Sequence, residues 1–208
     1  MIPVMIVPIL TTPQILYTML ESIDSPIAKL IIIDNGDCLN TSTGWPVEHV
    51  QSTKVIKMPA NLGVAGSWNL GIKSAPFAPW WLIVNFDITW PAGSLKMFAE
   101  QGNSDEIVLS ECGQPWSAFA IGENVVRRVG LFDEGYHPAY FEDNDYARRC
   151  TDEIIRPAPI PVRHNNSSTL AAADYGEKNN RTYLSNGDYF QAGGGGWSLD
   201  RRRANSWD

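Results

Sequence analysis

Two polar side chains at the end of an apolar run are the first candidates for chemistry. Trp80-Trp81-Leu82-Ile83-Val84 reads as a strand buried on both faces, and Asn85 and Asp87 follow it, two residues apart. Residues i and i+2 of a strand point to the same side, so both side chains can converge on one object. Open α/β sheets bind ligands beyond the carboxyl ends of their strands, where a carboxylate can hold a hard divalent cation and the cation a diphosphate. Asp87 can equally cap the turn that Pro91 and Gly93 introduce.

Two further polar clusters sit at corresponding places. Asp34-Asn35-Gly36-Asp37 closes an apolar run over Lys29–Ile33, and Asn61-Leu62-Gly63-Val64-Ala65-Gly66 leads into a helix that ends near Lys73. Gly63 and Gly66 permit close backbone approach at a helix N-terminus able to receive polar or anionic groups. Asp34 has the chemistry to accept hydrogen bonds from a base or ribose, and it also suits a turn beside Gly36. Farther on, Glu142, Asp143 and Asp145 place three acids within four residues beside aromatic Tyr140 and Phe141. Acids favour a helix's first turn, and Asp145 can pair with Arg149 at i,i+4. That pairing leaves Glu142 and Asp143, where like charges raise a pKa and can make a base. His164, after a strand over 160–163, is a lone histidine that is either a ligand or a satisfied structural residue.

The elements that must position these groups read β-α-β-β-α-β over the first 87 residues, with parallel, buried strands. Ile2–Ile9 is a strand, Thr12 an N-cap with Pro13 at N1, and Pro13–Ile23 a helix with Ile15, Leu16, Met19 and Leu20 on one face. Strands over 29–33, 54–58 and 80–87 follow. A helix near 93–100, strands at 107–110 and 117–121, and helices at 123–129 and 141–150 continue the chain. Ile154–Val162 is extended and proline-rich, as an edge strand would be. After His164 the pattern decays, and residues 166–208, with Gly193 to Gly196 in a row, read as a loosely packed extension on a domain of residues 1–165.

The chain has 208 residues, 44% hydrophobic and 19% charged, which allows one full core. A net charge of −7 argues weakly against a nucleic-acid backbone as main partner, with Arg201-Arg202-Arg203 one candidate for a local basic patch. Cys38, Cys112 and Cys150 are an odd number without metal-like spacing, which fits reduced thiols in a cytoplasmic protein. The uncharged first 20 residues are broken by Pro3, Pro8 and Pro13, so a buried strand and helix explain them better than a signal or a membrane span. Trp45, Trp68, Trp80, Trp81, Trp90, Trp116 and Tyr140 include candidates for stacking on a sugar, and core packing is the competing role for each.

The order Val7-Pro8, Ile33-Asp34-Asn35-Gly36, Asn61 to Gly71, Asn85-Phe86-Asp87 and Phe141-Glu142-Asp143-Asn144-Asp145 with Arg148 resembles family 2 glycosyltransferases of the GT-A fold. Any one motif would be weak; their order over residues 2–165 carries the likeness. The resemblance implies a Rossmann-like, mixed but mostly parallel sheet with helices on both faces. It implies a nucleoside-diphosphate sugar as donor, with UDP or dTDP favoured and GDP allowed, Mn2+ or Mg2+ as cofactor, and inverting transfer to an acceptor hydroxyl. Under it, Asp34 matches the base-reading acid, and Pro8, Asn35, Asn61, Gly63, Gly66 and Asn85 line the nucleotide-sugar pocket. Asp87 is the metal or diphosphate ligand, His164 matches a late histidine near the metal, and Asp143 beside Glu142 matches the catalytic base.

Two departures stand out. Asn85 replaces the first acid of the family's Asp-x-Asp, and the basic and aromatic residues usual near a C-terminal Gly-Gly are missing from Gln191-Ala192-Gly193-Gly194. No acceptor domain or membrane helix is expected, which argues against a processive polysaccharide synthase. A sugar-phosphate nucleotidyltransferase would carry Gly, Lys or Arg in its first phosphate loop, and Ile9-Leu10-Thr11-Thr12-Pro13 carries none. A nucleotide-sugar-binding module without turnover is the non-enzymatic alternative. The acceptor stays open among glycan, protein, small molecule and modified nucleic acid.

Overall fold

Apolar residues alternate so consistently along the central strands that each must bury two faces at once. The computed structural model describes residues 1–40, 47–151, 154–165 and 175–194. In β1 (Ile2–Ile9) Met5, Val7 and Ile9 enter one apolar cluster while Val4 and Ile6 enter another; in β4 (Trp80–Val84) Trp80, Leu82 and Val84 face the first and Trp81 and Ile83 the second. Such two-sided burial requires helices on both faces. The first cluster is covered by α1 (Pro13–Glu21) and α3 (Ser94–Gln101), through Leu16, Met19, Leu95 and Phe98. The second is covered by α2 (Gly63–Lys73), α4 (Glu123–Val129) and α5 (Glu142–Arg149), through Trp68, Ile72, Val125 and Tyr146.

The remaining strands of the sheet are β2 (Ile27–Asp34), β3 (Thr53–Lys57), β6 (Ile107–Glu111), β7 (Ala118–Gly122) and β8 (Ile155–Pro161). Together with β1 and β4 they make a seven-stranded sheet in the order β3-β2-β1-β4-β7-β6-β8. Its neighbours are parallel except at β7, which runs antiparallel to both β4 and β6. The expected α/β architecture is therefore present, and proline-rich β8 is the edge strand. A second, two-stranded sheet pairs β5 (Ile88–Thr89) with β9 (Arg163–His164).

Two local expectations differ from the structure. Thr12 is not a side-chain cap: its backbone is left-handed at φ 57°, and its hydroxyl bonds that of Thr11 at 2.7 Å, leaving Pro13 to start α1. The expectation of a loosely packed stretch after residue 165 does not extend to α6 (Tyr175–Gln191), a 17-residue helix. Thr182 and Asn186 in α6 are fully buried, so this helix docks through polar groups that an apolar periodicity scan passes over. Among the described residues, no helix is long and apolar enough to cross a membrane, and the three cysteines are unpaired thiols.

The approach of α2 to the sheet depends on Gly71. A Cβ there would lie 2.4 Å from Cγ2 of Ile6 in β1. Gly71→Val is expected to lose roughly 1–3 kcal/mol by overpacking, measured as a lower urea midpoint at unchanged slope. Gly113→Ala, where a Cβ meets nothing within 4 Å, is expected to stay within about 0.5 kcal/mol of the parent.

Candidate active site

The β5–β9 pairing brings together two groups that lie far apart in sequence. Ile88 pairs with His164, and the Asn165 amide donates to the Asp87 carbonyl at 2.9 Å. His164 Nε2 thereby comes to 3.1 Å from Asp87 Oδ1, with both side chains less than a tenth exposed. On the other side of the ring, Nδ1 lies 3.2 Å from the Ser117 hydroxyl. One carboxylate oxygen and one imidazole nitrogen, the latter oriented through its second nitrogen, form a donor pair suited to a divalent cation. Among the described residues no group of three acids, histidines or cysteines could hold a metal ion. The pair therefore fits a cation only if other oxygens, such as those of a diphosphate and water, complete its shell. The residue types also match a Ser-His-Asp relay, but Ser117 is 2% exposed, unlike a nucleophile open to substrate.

The predicted nucleotide-pocket residues form a network of their own. Asp34 is buried at the end of β2: Oδ1 accepts from the amides of Gly36 and Cys38 at 3.3 and 3.1 Å, and Oδ2 from Leu39 at 3.0 Å. The turn role describes these contacts, with Asp34 folding loop 36–39. The Cys38 thiol beside it is pushed up to about 12, first by burial and then by the Asp34 charge. Asn35 donates to the Ser67 hydroxyl at 2.8 Å and accepts from Leu62 at 3.1 Å, while Asn61 accepts from Gly63 at 2.8 Å. These bonds define the start of α2. Gly63 is left-handed at φ 73°, and a Cβ there would sit 2.7 Å from the Pro138 carbonyl, which accepts from Val64 at 2.7 Å. Gly66 packs near Leu62, and Pro8 pairs with Ile33 in the sheet.

Those contacts fasten α2 to the segment that carries the acids. His137 Nε2 donates to the Asn61 carbonyl at 3.0 Å. Tyr140 and Phe141 then adopt left-handed backbone, φ 79° and 72°, before α5 begins at Glu142. Two such residues cost on the order of 1–3 kcal/mol each and persist where surroundings impose them. Part of that imposition comes from Asn186 of α6, whose side-chain amide donates to the carbonyls of Tyr136 at 2.9 Å, Ala139 at 2.6 Å and Tyr140 at 3.3 Å. The hydroxyl of Tyr140 bonds the Asn179 side chain, and Phe141 stacks on Phe190. Asp145 behaves as expected for a structural acid, bonded at 2.8 Å to both Arg149 and Arg148. Arg148 continues to the carbonyls of Phe190 and Gly193, which fixes the end of α6 against α5.

A cavity of about 390 Å³ opens between these parts. Asn85 and Ser117 line one side, Val64 and Trp68 of α2 another, and Glu142 and Asp143 a third, with Trp116, Tyr140 and Tyr183 among the aromatic walls. Of the predicted site residues, the cavity unites Asn85, Glu142 and Asp143. Asp87 and His164 reach it through Ser117, while Pro8, Asp34, Asn35, Asn61, Gly63 and Gly66 do not line it. Trp80, Trp81 and Trp90 are core, Trp68, Trp116 and Tyr140 are cavity walls, and Trp45 and Arg201 to Arg203 lie outside the described residues. Sequence reasoning missed Ser117, Tyr183 and Asn186. Only Tyr183, an aromatic in a polar stretch, carried any signal.

Burial pushes the Asp143 carboxyl above its ordinary range. Glu142 is pushed well above, first by burial and then by the Asp143 charge, and backbone hydrogen bonds offset only part of this. Asp143 thus ionises first, and Glu142 keeps its proton to higher pH. A carboxyl whose folded pKa exceeds its unfolded one gives stability that is complete below the unfolded value, near 4.5, and lost as pH rises through the folded value. Glu142→Gln is therefore expected to gain stability over the parent as pH rises from about 4.5 to 8. Paired urea titrations across that range check the sign; an equal difference at all pH values would refute it.

No protein-family model and no curated protein sequence matches the chain. Solved structures do. S. aureus TarS in complex with UDP-GlcNAc aligns with a TM-score of 0.60 at 12% identity, over 97% of this chain and 69% of that one. Another S. aureus TarS crystal structure gives 0.59 at 14% identity over 77% of this chain, which spans 36% of the TarS chain. Glucosyl-3-phosphoglycerate synthase from Mycobacterium tuberculosis, in complex with phosphoglyceric acid, gives 0.59 at 11% identity over 88% and 79% of the two chains. With the sheet order, its single antiparallel strand and these likenesses together, the fold of this chain is that of the GT-A glycosyltransferases.

Proposed function

We propose that the chain is an inverting glycosyltransferase of family 2 type, moving a sugar from a nucleoside-diphosphate sugar to an acceptor hydroxyl. The observation that carries this reading is the cavity itself. It sets a desolvated carboxyl, Asp143, opposite the carboxyl end of β4, where Asn85 stands and Asp87 and His164 meet. The structural neighbours include a protein solved with UDP-GlcNAc and with UDP, which favours a UDP-sugar donor here.

The reaction then needs one displacement. The acceptor oxygen bonds to the anomeric carbon, the bond from that carbon to the diphosphate oxygen breaks, and its electron pair leaves with the nucleoside diphosphate. Asp143 takes the acceptor's proton as its oxygen attacks from the face opposite the leaving group. Asp87 and His164 would hold Mn2+ or Mg2+, which when bound supplies charge to offset the leaving diphosphate. Asn85 is a neutral neighbour, so Asp87 would carry the protein's negative charge toward a bound cation. Asp34 would act through loop 36–39, which it folds, at the end of β2 where a base would lie. The alternative of a binding module without turnover draws on Asn85 alone, and predicts donor binding with no product.

Asp143→Asn is expected to lower UDP release in the presence of acceptor by about 10²–10⁴-fold while leaving the UDP dissociation constant within about twofold. Because the base works deprotonated and its pKa is raised, activity of the parent should fall as pH drops through a value above the ordinary carboxylate range. Steady-state rates with calorimetry on the same preparation check both. A folded Asp143→Asn protein that still turns over at the parent rate would remove Asp143 from the chemistry.

A further inference from the structure

One face of α6 is aimed at the segment that leads to the acids. Asn179, Tyr183, Asn186 and Phe190 recur at helical spacing, i, i+4, i+7 and i+11. Asn179 bonds the Tyr140 hydroxyl, and the rings of Tyr183 and Phe190 meet that of Phe141 with centroids 5.1 and 5.6 Å away. Asn186, fully buried, grips main chain: its side-chain amide donates to the carbonyls of Tyr136, Ala139 and Tyr140. The last two carbonyls belong to the peptide planes on either side of Tyr140. Peptide planes are rigid, so holding both of them fixes the φ and ψ between. Tyr140 is thereby kept left-handed, Phe141 follows in the same region, and α5 opens with the Asp145 amide donating to the Phe141 carbonyl at 2.9 Å. Asp143 is the second residue of that helix.

We propose that Asn186 is a positioning residue for Asp143, holding the left-handed turn at Tyr140 and Phe141 that sets where the Asp143 carboxyl enters the cavity. The inference rests on the glycosyl-transfer reading, which makes Asp143 the base, and adds the residue that places it. A single hydrogen bond contributes less than two left-handed side-chain-bearing residues cost, so several bonds must act on the turn together. Asn186 supplies three of them from one side chain. Without it the turn is free to relax toward ordinary backbone, and the first residues of α5 turn with it. A base displaced by about 1 Å can lose on the order of 10²-fold in rate although it keeps its chemical identity. The displacement also has a signature in titration. Burial holds the Asp143 carboxyl above its ordinary range, and a relaxed turn lets water reach it. Of the charged side chains in the described lining, Glu142 stands beside Asp143, and α6 presents the phenol of Tyr183 there.

The test titrates the Asp143 carboxyl by 13C NMR in the full chain labelled at aspartate, with Asp143→Asn identifying the resonance by its loss. In Asn186→Ala the Asp143 titration is expected to move down toward the ordinary carboxylate range. Asn186→Ser, which keeps one donor and is read in place of the alanine variant should that one not fold, is expected to fall between it and the parent. Gly71→Val, destabilised in the core between α2 and β1, controls for stability loss alone and should leave the resonance where it is in the parent. Steady-state rates with a UDP-sugar donor add the second readout. Asn186→Ala should lower kcat about 10–10²-fold, move the acid limb of the pH profile down with the NMR titration, and leave the UDP dissociation constant within about twofold. An Asp143 titration unmoved in a folded Asn186 variant, or moved equally by Gly71→Val, would overturn the assignment. A parent that does not turn over, while Asn186→Ala still shifts Asp143, defeats the glycosyl-transfer reading and leaves the placement of the carboxyl by Asn186 standing.

Discussion

Two adjacent carboxyl groups, Glu142 buried and Asp143 partly buried beside it, set the terms for the candidate site. Glu142 and Asp143 begin α5, where burial raises both above the usual range and the Asp143 charge raises Glu142 further. A pair so placed cannot ionise together cheaply, and the neighbours divide the work. Asp143, bonded by the Asn144 amide at 2.8 Å, is the easier of the two to ionise. Glu142 has a buried oxygen with nothing to bond and is the easier to keep neutral. How readily each of the two acids ionises follows from surroundings rather than from residue type.

Holding that pair in place takes much of the surrounding chain. Left-handed backbone at Tyr140 and Phe141 turns the chain into α5, and α6 lays Asn186 across the carbonyls of residues 136, 139 and 140. Gly63 lets α2 touch Pro138 from the opposite side. Arg148 closes the arrangement by joining Asp145 to the end of α6. The polar helix after the sheet is thus a structural part of the candidate site, since removing Asn186 would free three carbonyls in the segment that leads to the acids.

Much of this was legible in the residues, for identifiable reasons. Two-sided apolar strands leave unbroken runs such as Leu30–Ile33 and Trp80–Val84, and the polar residues that end them are visible at once. Asn85, Glu142 and Asp143, singled out by residue type and by strand or helix position, line one cavity. Asp34 shows the limit: its type suits both ligand and turn, and only the amides of residues 36, 38 and 39 decide which contacts it makes. The Asp87–His164 contact spans 77 residues and depends on a two-residue strand pairing too short to leave a pattern. α6 escaped notice because its buried positions are threonine and asparagine, which bond backbone instead of filling an apolar stripe.

The central claim is that this site takes a nucleoside diphosphate at the ends of β1, β2 and β4. Calorimetric titration of the full chain with UDP, with and without manganese, tests it most directly, with dTDP, GDP and CDP as competitors. The account predicts that UDP binds, that manganese strengthens the binding, and that Asp87→Ala removes the manganese effect while leaving the fold intact. Failure of all four nucleotides to bind, with and without manganese, would contradict it.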